Sequence, residues 1–258
     1  MGISHNTVNQ NTIGSPALLI TTTLPMPAGS FNYVGVVVSV TSASVVTVKD
    51  NAGGGPGNTY TLLSAQTVGS DLRLEVWTAP VTNTSAAATV TVTFSGTTLA
   101  AVTGVNYIGA TSPFLGNLST NTGTGNVSPN LFTTLKDSGN WIIGFVGTVW
   151  ASSSQGVNLQ DGSSLFGTYH PATYPSVGVS LIESFAPIGQ ISTAIFTALS
   201  GDYAIIASEL RTHASAVTQT VEDAIQPASL DIFAPVTALL VLTPPLRDIP
   251  ALAGNVVY

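Results

Sequence analysis

The sequence predicts an all-β fold, a two-sheet antiparallel sandwich with extended N- and C-terminal arms, and three observations predict it. Short β-branched runs recur along the chain, separated by Gly, Asn, Pro and Ser clusters that act as turns. Apolar and polar residues alternate with period two, most clearly in Thr89-Val90-Thr91-Val92-Thr93-Phe94, where Val90, Val92 and Phe94 share one face and the threonines share the other. Toward the end of the chain, Pro227, Pro235, Pro244, Pro245 and Pro250 forbid one long helix and disfavour central strands.

Taken in order, Met1–Ser15 is polar and Asn-rich and lacks a periodic apolar face, so residues 1–16 read as a flexible arm. A sandwich over 17–211 follows, its first strands expected at Ala17–Leu24, Val34–Thr41 and Ser44–Asp50, where β-branched residues dominate. The Gly53-Gly54-Gly55-Pro56 turn leads to strands at Asn58–Gln66 and Asp71–Ala79. In the latter, Leu72, Leu74 and Val76 alternate with Asp71, Arg73 and Glu75, a charged row expected to face water. Further strands are expected at Ala88–Ser95, Leu99–Ile108, Leu131–Lys136, Asn140–Trp150, Val177–Phe185, Gln190–Leu199 and Asp202–Leu210. Val90, Val92, Phe94, Leu72, Leu74, Ile142 and Phe145 are the expected core. Residues 212–258 form a Pro-rich C-terminal arm with an apolar stretch at Ser229–Leu242 and a short helix around Val217–Ile225.

Composition narrows the role. Of 258 residues, 5 are Lys or Arg and 12 are Asp or Glu, so 7% are charged where an ordinary globular domain carries about 25%. A net charge of −7 excludes nucleic acid as a partner, because phosphate binding needs clustered cations. A hydrophobic content of 44% excludes intrinsic disorder. Without cysteine there is no disulfide, thiolate metal site or Cys nucleophile. The first basic residue is Lys49, so no export signal is expected. The apolar runs Trp141–Ala151 and Ala234–Leu242 fall short of the roughly 18 residues of a membrane span, and no membrane insertion is expected.

A resemblance enters on specific residues. Val45-Val46-Thr47-Val48-Lys49-Asp50, a Gly-rich turn, Gly57-Asn58-Thr59-Tyr60-Thr61, Leu74-Glu75-Val76-Trp77-Thr78-Ala79, Val90-Thr91-Val92-Thr93-Phe94-Ser95 and Val105-Asn106-Tyr107-Ile108-Gly109 together resemble a jelly-roll module with concanavalin-like topology. Gly139-Asn140-Trp141-Ile142-Ile143-Gly144 and Gly201-Asp202-Tyr203-Ala204 look like its returning strands. Such modules recur in bacteriophage structural and tail proteins and in surface proteins of bacteria and archaea. The resemblance implies a two-sheet antiparallel jelly-roll sandwich over Ala17–Arg211; the glycine insertion and the C-terminal arm depart from it.

Catalytic signatures are mostly absent from the sequence. His5, His170 and His213 form no metal-binding pair, and no nucleophile elbow, phosphate loop or dinucleotide fingerprint occurs. The glycine clusters at Gly53–Gly55 and Gly123/Gly125 read as turns. Glu75, Glu183 and Glu209 lie on expected strands and would serve a glycosidase only as a pair across a cleft. Asp50, Asn51 and Asn58 offer oxygen ligands around a flexible turn, as Ca²⁺ requires, or else ordinary turn chemistry. Trp150, Tyr169, His170 and Tyr174 are candidates for stacking on a glycan, or for an interface or core. Sequons stand at Asn83, Asn117 and Asn126.

These readings converge on a non-enzymatic virion structural protein, a capsid-surface, tail or fibre subunit located in the virion, with no cofactor. Its expected partners are copies of itself, other virion or surface-structure proteins and a cell-surface glycan. Assembly is expected through both arms, above all the C-terminal one, whose Leu230, Ile232, Phe233, Leu239, Leu240, Val241 and Leu242 would be a liability if left exposed. The rival reading is a cellular extracellular filament or adhesin subunit at the cell surface; a carbohydrate-active enzyme is a third.

Overall fold

The computed structural model describes residues 3–13, 15–39, 43–124, 130–134, 140–150, 164–166, 176–184, 191–195 and 201–212. All belong to a compact unit, Met1–Val217; a second unit, Thr218–Tyr258, lies outside the described residues together with the expected helix and the assembly leucines. Among the described residues the chain is β-strand and turn, with one 3-10 turn at Ala52–Gly54 and no α-helix.

The first strands are β1 (Ser4–Thr12), β2 (Ala17–Met26), β3 (Ser30–Val38), β4 (Val45–Asp50), β5 (Thr61–Val68), β6 (Leu72–Pro80), β7 (Ser85–Thr98) and β8 (Ala100–Ile108). They form a five-stranded sheet of order β1-β8-β3-β6-β5 and a three-stranded sheet of order β2-β7-β4. Every pairing is antiparallel. The later strands are β9 (Ala110–Thr124), β10 (Asn130–Thr134), β11 (Trp141–Trp150), β12 (Ser164–Phe166), β13 (Ser176–Ser184), β14 (Ile191–Ile195) and β15 (Asp202–Thr212). They form a second five-stranded sheet, β12-β13-β11-β15-β9, and a β10-β14 ladder, again antiparallel.

The sequence of each strand decides how many of its faces are covered. In β7 the alternation is strict: Val90, Val92 and Phe94 are buried, while Thr89 is exposed and Thr91 and Thr93 are half-buried. The run Phe31-Asn32-Tyr33-Val34-Gly35-Val36-Val37-Val38 of β3 has no such alternation and is buried at every position. A strand without a polar face has no side that tolerates water, so both faces need a cover. Val34, Val36 and Val38 pack with Leu24, Val90, Val92 and Phe94 of the three-stranded sheet. Tyr33 and Val37 pack the other way, with Leu74, Phe145, Leu181 and Ile206, into the second five-stranded sheet. The expectation of two sheets is therefore corrected: among the described residues β1-β8-β3-β6-β5 is a middle sheet, covered on one face by the three-stranded sheet and on the other by the second five-stranded sheet.

Close approach between the two five-stranded sheets depends on glycine. A Cβ on Gly35 would overlap the ring of Phe145, and a Cβ on Gly147 would overlap Cγ2 of Val37. The Tyr33 and Phe145 rings stack beside this contact, with centroids 6.4 Å apart.

Within the stretch expected as an N-terminal arm, residues 4–12 form β1, paired along β8. Ile3 and Val8 supply its apolar contacts with the core. The asparagines face the other way: Asn11 Nδ2 donates to the Thr21 carbonyl at 2.7 Å, and Asn9 Nδ2 donates to that of Thr23. Side-chain amides thus satisfy carbonyls of β2, a strand belonging to a different sheet.

The two five-stranded sheets share one strand order. Taking β9, β11, β12, β13 and β15 as counterparts of β1, β3, β5, β6 and β8 converts β9-β15-β11-β13-β12 into β1-β8-β3-β6-β5, and β10-β14 then corresponds to β2-β7.

Candidate functional site

Glu75, Glu183 and Glu209 are 1%, 0% and 0% exposed. The charged row expected to face water in β6 is accordingly corrected at Glu75, because the three-stranded sheet covers that face. Glu75 Oε1 accepts from Arg73 Nε at 2.7 Å and from the Val45 amide at 3.1 Å, and Oε2 accepts from Trp77 Nε1 at 3.0 Å. Three donors, one of them cationic, offset the desolvation of the carboxylate. Arg73 keeps its partly exposed position at the rim.

Glu183 lies between the two five-stranded sheets. Oε1 accepts from the Tyr107 hydroxyl at 2.5 Å, and Oε2 is 3.1 Å from Nδ1 of His5 on β1. Burial raises the Glu183 pKa above the ordinary carboxylate value, against the lowering effect of Tyr107 and His5. Burial likewise raises the Tyr107 phenol, and the neighbouring Glu183 charge adds to the rise, so the phenol remains a donor. Trp141 meets the Tyr107 ring edge-on at 6.2 Å, and the Tyr33 hydroxyl bonds Ser208 Oγ at 3.3 Å on the same interface.

Glu209 pairs across from Ile142, one residue out of step with the Ile143–Glu183 pairing, and therefore points to the opposite face of its sheet. Its Oε1 accepts from Asn140 Nδ2 at 2.7 Å, and Asn140 Oδ1 accepts from the Thr212 amide at 3.1 Å. The glutamates thus occupy different faces, each held by hydrogen bonds, and the arrangement holds no carboxylate pair facing a common cleft.

At the glycine-rich turn, Asp50 and Asn58 come together, 6% and 3% exposed. Asp50 Oδ1 accepts from the Ala52 and Asn58 amides at 2.9 and 3.1 Å, and Oδ2 accepts from Asn58 Nδ2 at 3.1 Å. Asn58 Oδ1 accepts from the Thr82 and Asn83 amides at 2.8 and 2.7 Å. The oxygens expected as cation ligands are thus directed at N–H donors, the arrangement of an Asx-type turn. Gly57, at φ 74°, lets the chain close on Asp50, where a Cβ would strike the Asp50 carbonyl. Asn51 turns away, its Oδ1 accepting from the Thr89 amide at 2.8 Å. Desolvation, followed by the Asp50 charge, raises the Tyr60 phenol at the margin of this network. Asn83, one of the sequon residues, donates from Nδ2 to the Gly57 carbonyl at 2.6 Å.

Among the described residues no cluster of three or more His, Asp or Glu is placed to hold a metal, and no helix is long and apolar enough to cross a membrane. An open groove of about 340 Å³ is lined by Asn6, Pro25, Met26, Pro27, Thr84 and Ser85 among others, with no carboxylate, imidazole or amine in its wall. Trp150 ends β11, where its backbone pairs with Ser176. Its side chain, together with Tyr169, His170, Tyr174, Asn126 and the side chain of Asn117, lies outside the described residues.

The sequence linked neither Tyr107 nor His5 to Glu183. Tyr107 follows the inward period of β8, but nothing in the sequence links it to a glutamate 76 positions later. Compared with known proteins, the chain matches no family model, no curated protein and no solved structure.

Proposed function

We propose that the protein is a structural subunit of a virion, in a capsid surface, tail or fibre, that assembles with copies of itself and other virion proteins through its terminal segment. The observation that carries this reading is strand order. From β1 to β4 successive strands alternate between two packed sheets, and β6, β7 and β8 return between them to give β1-β8-β3-β6 against β2-β7-β4. We read that order as the double Greek key of a jelly roll, a framework of viral capsid and lectin domains. One departure is that β5 extends the β6 edge instead of the β4 edge. The order recurs in β9–β15, so the reading takes the chain as two jelly rolls in tandem.

Two features of the sequence favour assembly over catalysis. Only 7% of residues are charged, which weakens repulsion between copies. The segment from Leu230 to Leu242 supplies apolar side chains suited to a neighbour's surface. Glycan contact through Trp150, Tyr169, His170 and Tyr174 is the host-recognition part of the same proposal. The three glutamates, sequestered on separate faces, are assigned to stability.

The test compares the full chain with a version ending at Thr212 by sedimentation and electron microscopy. The full chain forms regular particles, rings or fibres, and the truncated chain sediments as a folded monomer. Identical assembly of both, or a monomeric full chain, overturns the proposal. Fibres formed only on the outer surface of cells expressing the gene would favour the filament reading.

A further inference from the structure

We infer that the face between the two five-stranded sheets is a subunit-type interface between two copies of one β unit held in a single chain, and that Gly35/Phe145 and Val37/Gly147 make each copy fit the other and not itself.

Strand order supplies the first support, and register supplies the second. Across β8-β3-β6 the inward rows are Ala101–Val37–Leu74, Thr103–Gly35–Val76 and Val105–Tyr33–Thr78. Across β15-β11-β13 they are Ala204–Gly147–Val179, Ile206–Phe145–Leu181 and Ser208–Ile143–Glu183. Matching the rows in order sets Leu72, Leu74 and Val76 against Val177, Val179 and Leu181, the apolar residues that β6 and β13 contribute to the shared core. The outward faces agree with the same matching. Asn106 Nδ2 donates to Ser30 Oγ at 2.7 Å within β1–β8, and Asn140 Nδ2 donates to Glu209 Oε1 at 2.7 Å within the part of the chain that holds β9–β15. Ser30 corresponds to Asn140 and Asn106 to Glu209, so a polar tie recurs at one place with different residues.

Contacts across the interface then locate a symmetry axis. Gly35 corresponds to Phe145 and lies against it; Val37 corresponds to Gly147 and lies against it. A residue that touches its own counterpart sits on a two-fold axis, as in an isologous dimer. Two such contacts, at successive inward positions, run this pseudo-dyad along β3 and β11.

On a true dyad the same side chain would come from both sides. Glycine against glycine would leave a void, and phenylalanine against phenylalanine or valine against valine would overlap at this separation. Here each axial contact is large against small, with the large residue on β11 at one level and on β3 at the next. Identical copies cannot make that arrangement. The surface around Gly35 and Val37 therefore fits a β unit of the same order with the opposite size pattern, which the second half of this chain provides. Residues that specify a partner by steric exclusion as well as by attraction are a general device of selective interfaces.

The test uses the full chain and exchanges residues across the axis. Gly147→Val overlaps Val37 and Val37→Gly leaves a void, whereas the double variant moves the valine to the opposite side of the axis. Expected is a thermal midpoint for Val37→Gly/Gly147→Val that exceeds that of Gly147→Val by about 5 °C or more, a non-additive gain between contacting residues. Gly35→Phe/Phe145→Gly is the second exchange, with the same expected recovery over Gly35→Phe. If a single variant does not fold, recovery of folded, soluble protein in its double is the readout. Doubles that are no more stable than the clashing singles, or that also fail to fold, overturn the inference.

Discussion

The phenol of Tyr107 in β8 donates a 2.5 Å hydrogen bond to Oε1 of Glu183 in β13, across the face where the two five-stranded sheets meet. Neither group reaches water, since both residues are 0% exposed. Tyr107→Phe removes the donor and leaves a buried carboxylate oxygen short of a partner. The expected cost is about 1–3 kcal/mol, read from the denaturant midpoint of the full chain. A loss within the scatter of surface substitutions would show that the bond contributes nothing.

Glu183 also predicts a pH dependence. Its pKa is raised in the folded state, so the folded chain binds more protons than the unfolded chain at pH values above the ordinary glutamate range. The contribution is fully present below the unfolded pKa and is lost as pH rises through the raised folded value. Glu183→Gln keeps an acceptor for Tyr107 and removes the titration. The wild-type thermal midpoint, relative to that of Glu183→Gln, falls as pH rises through this window. A constant difference between the two curves would contradict the assignment.

Phe94 tests the packing of the three-stranded sheet. At 3% exposure its ring fills the core between β7 and the middle sheet. Phe94→Ala should cost about 3–5 kcal/mol in equilibrium unfolding. A cost below about 1 kcal/mol would indicate a ring that is not closely packed.

Asn58 tests the turn network. Asn58→Ala orphans the Thr82 and Asn83 amides and removes a donor from Asp50. A loss of about 1–3 kcal/mol is expected, equal in EDTA and in millimolar Ca²⁺. A Ca²⁺-dependent rise in the wild-type midpoint that Asp50→Asn abolishes would instead establish a cation site there.

Strands were legible in the sequence where a single face is wet. The alternation of Thr89 to Phe94 marks β7 and its orientation, and the expected core residues Leu72, Leu74, Val90, Val92, Phe94, Ile142 and Phe145 are all buried. The alternation in β6 was equally clear, yet Glu75 is inside, because alternation separates two faces without saying whether a further sheet covers the second. β1 was obscured because its asparagines, which read as loop composition, serve as side-chain donors to β2. The repeated strand order was hidden for a related reason. Gly35 and Phe145, Val37 and Gly147, and Asn106 and Glu209 occupy matching positions in the register with unlike residues. Of the candidate site residues, only the Asp50–Asn58 proximity followed from local sequence; the tie from Tyr107 to Glu183 spans 76 positions and leaves no local signal.

The middle sheet, covered on both sides, also bears on how the chain is made. β1–β8 leave the ribosome before β9–β15 exist, so the side of the sheet carrying Tyr33, Val37, Leu74 and Tyr107 waits for its cover while the remaining strands are translated. At about 5–20 residues per second, synthesis of some hundred further residues takes about 5–20 s, far longer than hydrophobic collapse. During that interval the nascent chain presents a broad sticky surface on a crowded polysome, where neighbouring nascent chains present the same one. A half-made chain is therefore expected to aggregate more readily than the finished one, because the wall that two halves share is bare until the second is made.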